Sequence, residues 1–164
     1  MRKIMLIDDE INVLRALRRD LVRHYPADVL QLELFDDPRD ALLWAAEHSF
    51  DVAIADYRMP HADGVSLLKS LRDIQPDTVR MIVSGTCDYS VLISAINEAH
   101  IFRFIAKPWN QTEIVDALRD ALAYRDGSIE VQRLAQERRT QKDVSAKLGS
   151  ESCDAEFDAN NAAC

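Results

Sequence analysis

The sequence is 164 residues long, with 48% hydrophobic and 29% charged residues, a composition typical of one globular domain with a short appendage. Its formal net charge of −8 would repel a phosphate backbone, so we expect no direct nucleic-acid binding. Acids interrupt the apolar run near the N-terminus too early for a signal peptide or a membrane span. We therefore predict a cytoplasmic protein that does not bind membranes.

Short apolar runs alternate with longer amphipathic stretches over the first 124 residues. Apolar runs of this length are typical of strands that are covered on both faces. Short strands joined by helices require a mainly parallel sheet with right-handed crossovers, so the pattern predicts a three-layer, doubly wound α/β domain. The five predicted strands cover residues 3–7, 30–35, 51–55, 79–83 and 102–105.

Residues at the predicted helix ends carry recognisable start signals. Asp37 ahead of Pro38 predicts the start of the second helix, because an acidic cap often precedes a proline in the first turn. Asn110 or Thr112 is predicted to cap the last helix of the domain. On the second helix, Trp44 is predicted to lie in the core as part of an amphipathic face.

The character of the chain changes after residue 124. Residues 125–150 are predicted to form a helical extension after a break at Gly127 and Ser128, either as a solvated helix or as a weak coiled coil. Residues 151–164 are acidic and nearly without large apolar side chains, so we predict a disordered tail. The predicted domain therefore covers residues 1–124. Because the extension could pair with a second copy of the chain, a homodimer is one possible oligomeric state.

Polar side chains follow the predicted strands at the points where the strands end. Ligands of open α/β sheets bind beyond the carboxyl ends of the strands, so these side chains are expected to converge. Crowded carboxylates repel one another unless a cation lies among them, and Mg²⁺ suits such oxygen ligands. Together with a hydroxyl and an ammonium group, they suit phosphoryl transfer to a carboxylate. The residues are Asp8, Asp9, Glu10, Asp56, Ser84 and Lys107.

Each of these residues also has a simpler interpretation when it is taken alone. Asp8 and Asp9 could cap the first helix, Asp56 and Ser84 could belong to turns, and Lys107 could be a surface lysine. The functional interpretation is favoured because all of them fall at strand ends of one predicted sheet. Asp56 is the predicted nucleophile, since it is the only carboxylate at the end of the central strand.

Four sequence motifs stand in an order that resembles the receiver domains of two-component response regulators. They are LIDDE, DVAIADYRMPHADG, MIVSGT and FRFIAKPWN, and the resemblance runs from residue 2 to about residue 124. It implies a flavodoxin-like fold with strand order 2-1-3-4-5. The KPW motif is similar to receivers joined to cyclic-dinucleotide phosphodiesterase or transcription-activating output domains. Because 40 residues of such composition are too few for an independent effector, we expect a stand-alone receiver.

The resemblance also implies a role for each residue of the acceptor site. Asp56 would receive a phosphoryl group from a histidine kinase or a histidine phosphotransfer protein. Asp9, Asp56 and the backbone carbonyl of Arg58 would ligate Mg²⁺, and Asp8 would support the ion directly or through water. Lys107 would bind the phosphoryl group, and its peptide bond to the following proline would be cis.

A switch is the second implication of the resemblance. Ser84 would be drawn to the phosphoryl group, which lets the aromatic ring of Phe104 turn inward. The face formed by the fourth helix, the fifth strand and the fifth helix would then change its affinity for a downstream protein partner, whose identity the sequence does not give. Such a change is a population shift between two states of one fold.

Arg58, two positions after the predicted acceptor, departs from the smaller polar residues that are common there. Its long cation could reach the phosphoryl group or shield it from water. A haloacid-dehalogenase-like phosphatase needs a second aspartate at this position, so Arg58 argues against an enzyme that acts on other substrates. We expect a signalling phospho-acceptor that catalyses only its own phosphorylation and dephosphorylation. The alternatives are a phosphorylation-independent docking module and a phosphate sink or relay intermediate.

Overall fold

A computed structural model of the chain describes residues 1–60, 62–85, 93 and 97–154. The chain divides into two compact units, Met1–Asp126 and Gly127–Cys164. The first unit contains the sheet and every residue of the predicted site. Among the described helices, none combines the length and the apolar character that a membrane span requires.

In the described part of the chain, five parallel strands form the sheet of the first unit. Their order is β2-β1-β3-β6-β7, which is the predicted order 2-1-3-4-5 once a small hairpin is set aside. Each predicted strand is confirmed to within one residue at either end. The hairpin, β4 with β5, was not predicted because two-residue strands carry no periodic signal. The bounds are β1 Arg2–Ile7, β2 Leu30–Phe35, β3 Val52–Asp56, β4 Arg58–Met59, β5 Ala62–Asp63, β6 Val79–Ser84 and β7 Ile101–Ala106.

Side chains at the helix starts account for the observed boundaries. The Asp37 carboxylate accepts a hydrogen bond from the Arg39 backbone N–H at 2.8 Å, as predicted for a cap. Asn110, and not Thr112, caps the last helix by accepting from the Glu113 backbone N–H at 2.7 Å. The predicted fourth helix, between β6 and β7, lies mostly outside the described residues. The helices are α1 Ile11–Val22, α2 Pro38–Glu47, α3 Gly64–Ile74 and α4 Gln111–Asp154.

Alternating side chains of the strands build two apolar cores, one on each face of the sheet. On β1, Ile4 and Leu6 enter the core covered by α1 and by the first turns of α4, whereas Met5 and Ile7 enter the core covered by α2 and α3. All four are at most 1% exposed. The first unit is therefore the predicted three-layer α/β domain, and its strands are apolar on both faces because helices cover both faces.

The predicted burial of Trp44 is wrong. The buried stripe of α2 consists of Pro38, Ala41 and Ala45, small residues that let the helix approach the sheet closely. Trp44 lies beside this stripe, is 44% exposed, and stacks on the ring of His48 at a centroid distance of 4.2 Å. The pattern of apolar residues did not distinguish a helix that buries its small residues from one that buries its large residues.

The predicted helix break at Gly127 and Ser128 is also wrong, because α4 is helical through both positions. One glycine inside a helix costs about 1 kcal/mol relative to alanine, which good helix formers on both sides offset. The helix covers the predicted extension of residues 125–150 and continues to Asp154, so the predicted boundary at residue 150 is too early. The rest of the predicted disordered tail, residues 155–164, lies outside the described residues.

Candidate functional site

The carboxyl ends of three strands bring two carboxylates and one ammonium group together. Asp8 follows β1, Asp56 is the last residue of β3, and Lys107 follows β7. The Nζ atom of Lys107 donates to Asp8 Oδ2 at 2.8 Å and to Asp56 Oδ1 at 2.7 Å. The parallel register from β1 to β7 places these strand ends at one edge of the sheet. The predicted convergence of these three residues is confirmed.

Backbone N–H groups orient the second oxygen of each carboxylate. Asp8 Oδ1 accepts from the Glu10 backbone N–H at 2.9 Å, and Asp56 Oδ2 accepts from the Arg58 backbone N–H at 2.8 Å. Both aspartates are buried, with 1% and 7% of their surface exposed. Each carboxylate is thus held between a backbone donor and the shared lysine, so its orientation is fixed before any ligand arrives.

Burial and charge act in opposite directions on the titration of this cluster. Burial raises the pKa of Asp8, and the hydrogen bond and charge of Lys107 compensate only in part. The charge of Asp56 raises the pKa of Asp8 further. Burial lowers the pKa of Lys107, but its hydrogen bonds to Asp56 and Asp8 and their charges outweigh this effect, so its pKa is raised overall. Lys107 is therefore a charged ammonium at neutral pH, and the site retains excess negative charge.

Replacing Lys107 with methionine is expected to lower the free energy of unfolding in EDTA by about 1–3 kcal/mol at neutral pH, because two buried carboxylates lose their charged partner. A carboxyl group with a raised folded-state pKa favours folding at low pH and loses that contribution as the pH rises. The pKa of Asp8 rises further without Lys107, so the deficit should shrink as the pH falls below that pKa. Urea unfolding of the wild type and the variant at neutral and acidic pH measures this difference in the free energy of unfolding.

Lys69→Met is the matched control for this experiment. Lys69 is half exposed and its ion pair with Glu98 is long, at 3.8 Å. Its removal should change the free energy of unfolding by less than about 0.5 kcal/mol. An equal loss of stability in both variants, at both pH values, would show that Lys107 does not hold the two aspartates together.

Ser84 lies next to Lys107 across the last two strands of the sheet. Its backbone carbonyl accepts from the Lys107 backbone N–H at 2.8 Å, and it stands opposite Ala106 in the register of β6 and β7. Ser84 is 3% exposed. The peptide bond between Lys107 and Pro108 is cis, as the resemblance implied. Ser84 is thus at the predicted edge of the sheet, and its role in switching stays a prediction.

Gly64 is a site residue that the sequence reasoning missed. It is the first residue of α3, and its backbone N–H donates to the Tyr57 carbonyl at 2.8 Å. A Cβ atom at this position would overlap the backbone carbonyl oxygen of Asp56. Only glycine therefore lets α3 begin this close to the end of β3. The pair Asp63-Gly64, an aspartate cap followed by a glycine, is the signal that marks this approach in the sequence.

The other predicted site residues lie around this cluster. Asp9 is exposed, and the described residues contain no group of three or more His, Cys, Asp and Glu side chains that could hold a metal ion. The Arg58 side chain is exposed, and the residue pairs with Asp63 in the β4–β5 hairpin. Phe104 is half-buried against the core on the side of α2 and α3. The metal role of Asp9 and the switch role of Phe104 stay predictions.

The donors of the cluster nonetheless fit a hard divalent cation. Asp8 and Asp56 present buried carboxylate oxygens that lie within hydrogen-bond distance of one and the same ammonium. The two carboxylates share a single ammonium, so one positive charge faces two acidic groups. Mg²⁺ is commonly held by one or two carboxylates and completes its shell with water and phosphate oxygens. The chemistry of this donor pair is therefore compatible with Mg²⁺.

Comparisons with known proteins agree with the fold. The sequence matches the response regulator receiver domain family over residues 4–119. It is 37% identical to the hydrogenase transcriptional regulatory protein HoxA of Bradyrhizobium diazoefficiens over 73% of this chain, and 34% identical to HoxA of Cupriavidus necator over 86% of this chain. It spans only 24% and 28% of those two longer proteins.

A solved structure of a receiver domain is also similar to this chain. The signal receiver domain of an HD domain-containing protein from Pseudomonas fluorescens Pf-5 is 30% identical and superposes with a TM-score of 0.71. The match covers 77% of this chain and 98% of that domain. The family match covers most of the chain and includes Asp8, Asp56 and Lys107. This chain belongs to the response regulator receiver domain family.

Proposed function

We propose that this chain is a cytoplasmic phosphorylation switch of a two-component pathway. Asp56 accepts a phosphoryl group from a histidine kinase or a histidine phosphotransfer protein, and the phosphorylated form changes its affinity for a downstream protein. The chain catalyses only its own phosphorylation and dephosphorylation. The observation that carries the proposal is the bridge from Lys107 Nζ to both Asp8 and Asp56, because it places a cation beside a buried, pre-oriented carboxylate.

The two oxygens of Asp56 have different hydrogen-bond partners, and we assign them different roles. Oδ2 is held by the backbone N–H of Arg58, whereas Oδ1 is held by the side chain of Lys107, which can move to another acceptor, so we assign the attack on phosphorus to Oδ1. The new bond joins Oδ1 to phosphorus, and the bond from phosphorus to the donor's nitrogen or oxygen breaks, its electron pair leaving with the donor. Lys107 Nζ, which donates to Oδ1 before the reaction, is placed to donate to a phosphoryl oxygen after it.

Asp8 and Asp56 are the residues of this chain that would hold Mg²⁺, and the resemblance adds Asp9 and the Arg58 carbonyl. A Mg²⁺ ion held there would supply positive charge to neutralise the phosphoryl oxygens. Asp8 is fixed by the Glu10 backbone N–H whether or not Lys107 remains bound to it. The orientation of this carboxylate therefore does not depend on Lys107, and it would suit a metal ion as well as an ammonium group.

The proposed change in partner binding begins at Ser84 and Lys107. Lys107 loses its hydrogen bond to Oδ1 when that oxygen becomes the bridging oxygen of an acyl phosphate, and Ser84 lies beside Lys107 on β6. Movement of the Ser84 hydroxyl toward the phosphoryl group opens space for Phe104, which is half-buried on the adjacent strand opposite Ile82. The face around β7 and the start of α4 then changes shape, and its downstream partner binds one state better than the other.

Intact mass spectrometry after incubation with Mg²⁺ and acetyl phosphate tests the proposal. The chain should gain one phosphoryl group, and EDTA should prevent the gain. Beryllofluoride, which mimics a phosphoryl group on a carboxylate, should bind under the same conditions and only with Mg²⁺. If no adduct forms even at short times and beryllofluoride does not bind, the results would instead support the alternative of a phosphorylation-independent docking module.

Arg58 is predicted to prolong the life of the phosphoryl group. Its exposed cation follows the acceptor by two residues, and its backbone N–H already binds Asp56. Replacing Arg58 with serine should shorten the half-life of the adduct about tenfold, which corresponds to the loss of one charge-assisted contact of about 1.4 kcal/mol. Arg39→Ser, an exposed arginine of α2, is the control and should leave the half-life unchanged. Equal half-lives in all three proteins would assign Arg58 no part in dephosphorylation.

A further inference from the structure

A groove of about 520 Å³ lies between α2 and β2, which is an edge strand of the sheet. Leu34 and Phe35, half-buried on β2, form one wall. Leu43 and Trp44 of α2 form the other wall and are 71% and 44% exposed. Two large apolar side chains exposed side by side on a helix are typical of a surface that contacts a partner. The acceptor site makes no use of this groove.

The rim of the groove is acidic. Asp36, Asp40 and Glu47 line it, and all three are exposed. Among the residues that the structure describes, none of these three carboxylates has an ion-pair partner within 4.0 Å. Asp40 and Glu47 stand two helical turns apart on α2, with Leu43 and Trp44 between them. The groove is therefore suited to an occupant that presents apolar side chains flanked by cations.

A helical segment with these properties occurs in the second unit of the chain. Residues 131–142 of α4 contain four Arg or Lys residues and one Glu, in a protein whose net charge is −8. They are exposed, and they include Val131 at 67% and Leu134 at 43% exposure. Val131, Leu134, Arg138 and Lys142 follow one another at helical spacing, which gives a stripe that begins apolar and ends basic.

We propose that the groove of one copy binds residues 131–142 of α4 from a second copy. Leu134 and Val131 would cover Leu43 and Trp44, while Arg138, Arg139 and Lys142 meet the acidic rim; Arg133 already pairs with Glu130 and Glu137 of its own helix. The two surfaces differ, so in a two-fold dimer each copy offers its groove to the helix of the other and the contact is made twice. The charges favour association and make it dependent on salt.

Helix α1 is the other described helix with an exposed basic face, and it fits the groove less well. It exposes Arg15 and Arg18, but its large exposed apolar residues, Ile11 and Val22, lie at opposite ends of the helix. An occupant needs neighbouring apolar side chains to cover Leu43 and Trp44. Only the α4 segment offers them among the described basic helices, and α1 therefore provides the control.

Light scattering after size-exclusion chromatography of the full chain measures the association. The mass should be that of two chains at low salt and fall toward one chain at high salt. A groove variant, Asp40→Lys with Glu47→Lys, and a helix variant, Arg138→Glu with Arg139→Glu, should each raise the dissociation constant about 100-fold, because like charges then face each other. Arg15→Glu with Arg18→Glu, the control on α1, should leave the mass unchanged.

Mixing the groove variant with the helix variant is the decisive step. In the mixed pair, a basic groove meets an acidic helix and an acidic groove meets a basic helix, so both contacts become attractive again. The mass of a two-chain species should return, a result that damage to either fold cannot produce. Trp44 fluorescence should shift to the blue with the return of the dimer, since the indole leaves water.

Three results would overturn the proposal. The first is a mass of one chain for the wild type at every concentration and salt condition. The second is a dimer that survives both charge reversals or is lost in the α1 control, since the association would then use other surfaces. The third is failure of the mixed variants to associate although each remains folded by circular dichroism.

Discussion

Replacing Asp56 with asparagine is expected to abolish the phosphoryl adduct and to leave the fold intact. The amide has the shape of the carboxylate and its oxygen can still accept from the Arg58 backbone N–H, but it is no longer the nucleophile that attacks phosphorus. Lys107 keeps its second partner, Asp8, at 2.8 Å. The loss of the Asp56 charge also lowers the pKa of Asp8, which that charge had raised.

The free energy of unfolding should therefore change by no more than about 1 kcal/mol, because the variant loses one attraction to Lys107 and one repulsion from Asp8. Intact mass after incubation with acetyl phosphate and Mg²⁺ measures the adduct, and urea unfolding measures the stability. Asp40→Asn, a change of the same kind on the exposed face of α2, should accept the phosphoryl group like the wild type. An adduct on the Asp56 variant would mean that another side chain is the acceptor.

Replacing Gly64 with alanine is expected to destabilise the domain by about 3 kcal/mol and to slow phosphorylation at least about tenfold. The added Cβ atom meets the backbone carbonyl of Asp56 and comes close to the Cα atom of Tyr57, at 3.1 Å. Backbone atoms cannot rotate away as a flexible side chain does, so either α3 or the end of β3 must move. Movement of β3 would displace the acceptor from Lys107.

Gly127→Ala is the control, because a Cβ atom at Gly127 would meet nothing within 4 Å. Gly127 lies inside α4, where alanine should favour the helix by about 1 kcal/mol and leave phosphorylation unchanged. Urea unfolding and the initial rate of adduct formation measure both variants. Wild-type stability and rate for Gly64→Ala would show that α3 can shift without disturbing the acceptor.

The sequence was sufficient to predict the sheet and the edge at which the site lies. Short apolar runs, each followed by a polar residue, predicted the strands to within one residue and the convergence of Asp8, Asp56 and Lys107. The prediction succeeded because parallel strands place their carboxyl ends at one edge, whatever the details of packing. The strand order itself came from the resemblance, since periodicity does not determine which strands are neighbours.

Features that depend on three-dimensional contact could not be predicted in this way. The exposure of Trp44 depends on which stripe of α2 packs closest to the sheet, and that stripe consists of small residues. The role of Gly64 depends on how closely α3 approaches the Asp56 carbonyl. The continuity of α4 through Gly127 depends on a balance of about 1 kcal/mol, which local sequence signals do not determine.

The most direct test of the central claim is to locate the phosphoryl group within the chain. After reaction with acetyl phosphate and Mg²⁺, borohydride reduces an aspartyl phosphate to homoserine, and tandem mass spectrometry of the peptides then identifies the reduced residue. We expect homoserine at position 56, dependent on both Mg²⁺ and the phosphodonor. Homoserine at another aspartate, or a phosphorylated chain in which residue 56 is still an unmodified aspartate, would contradict it.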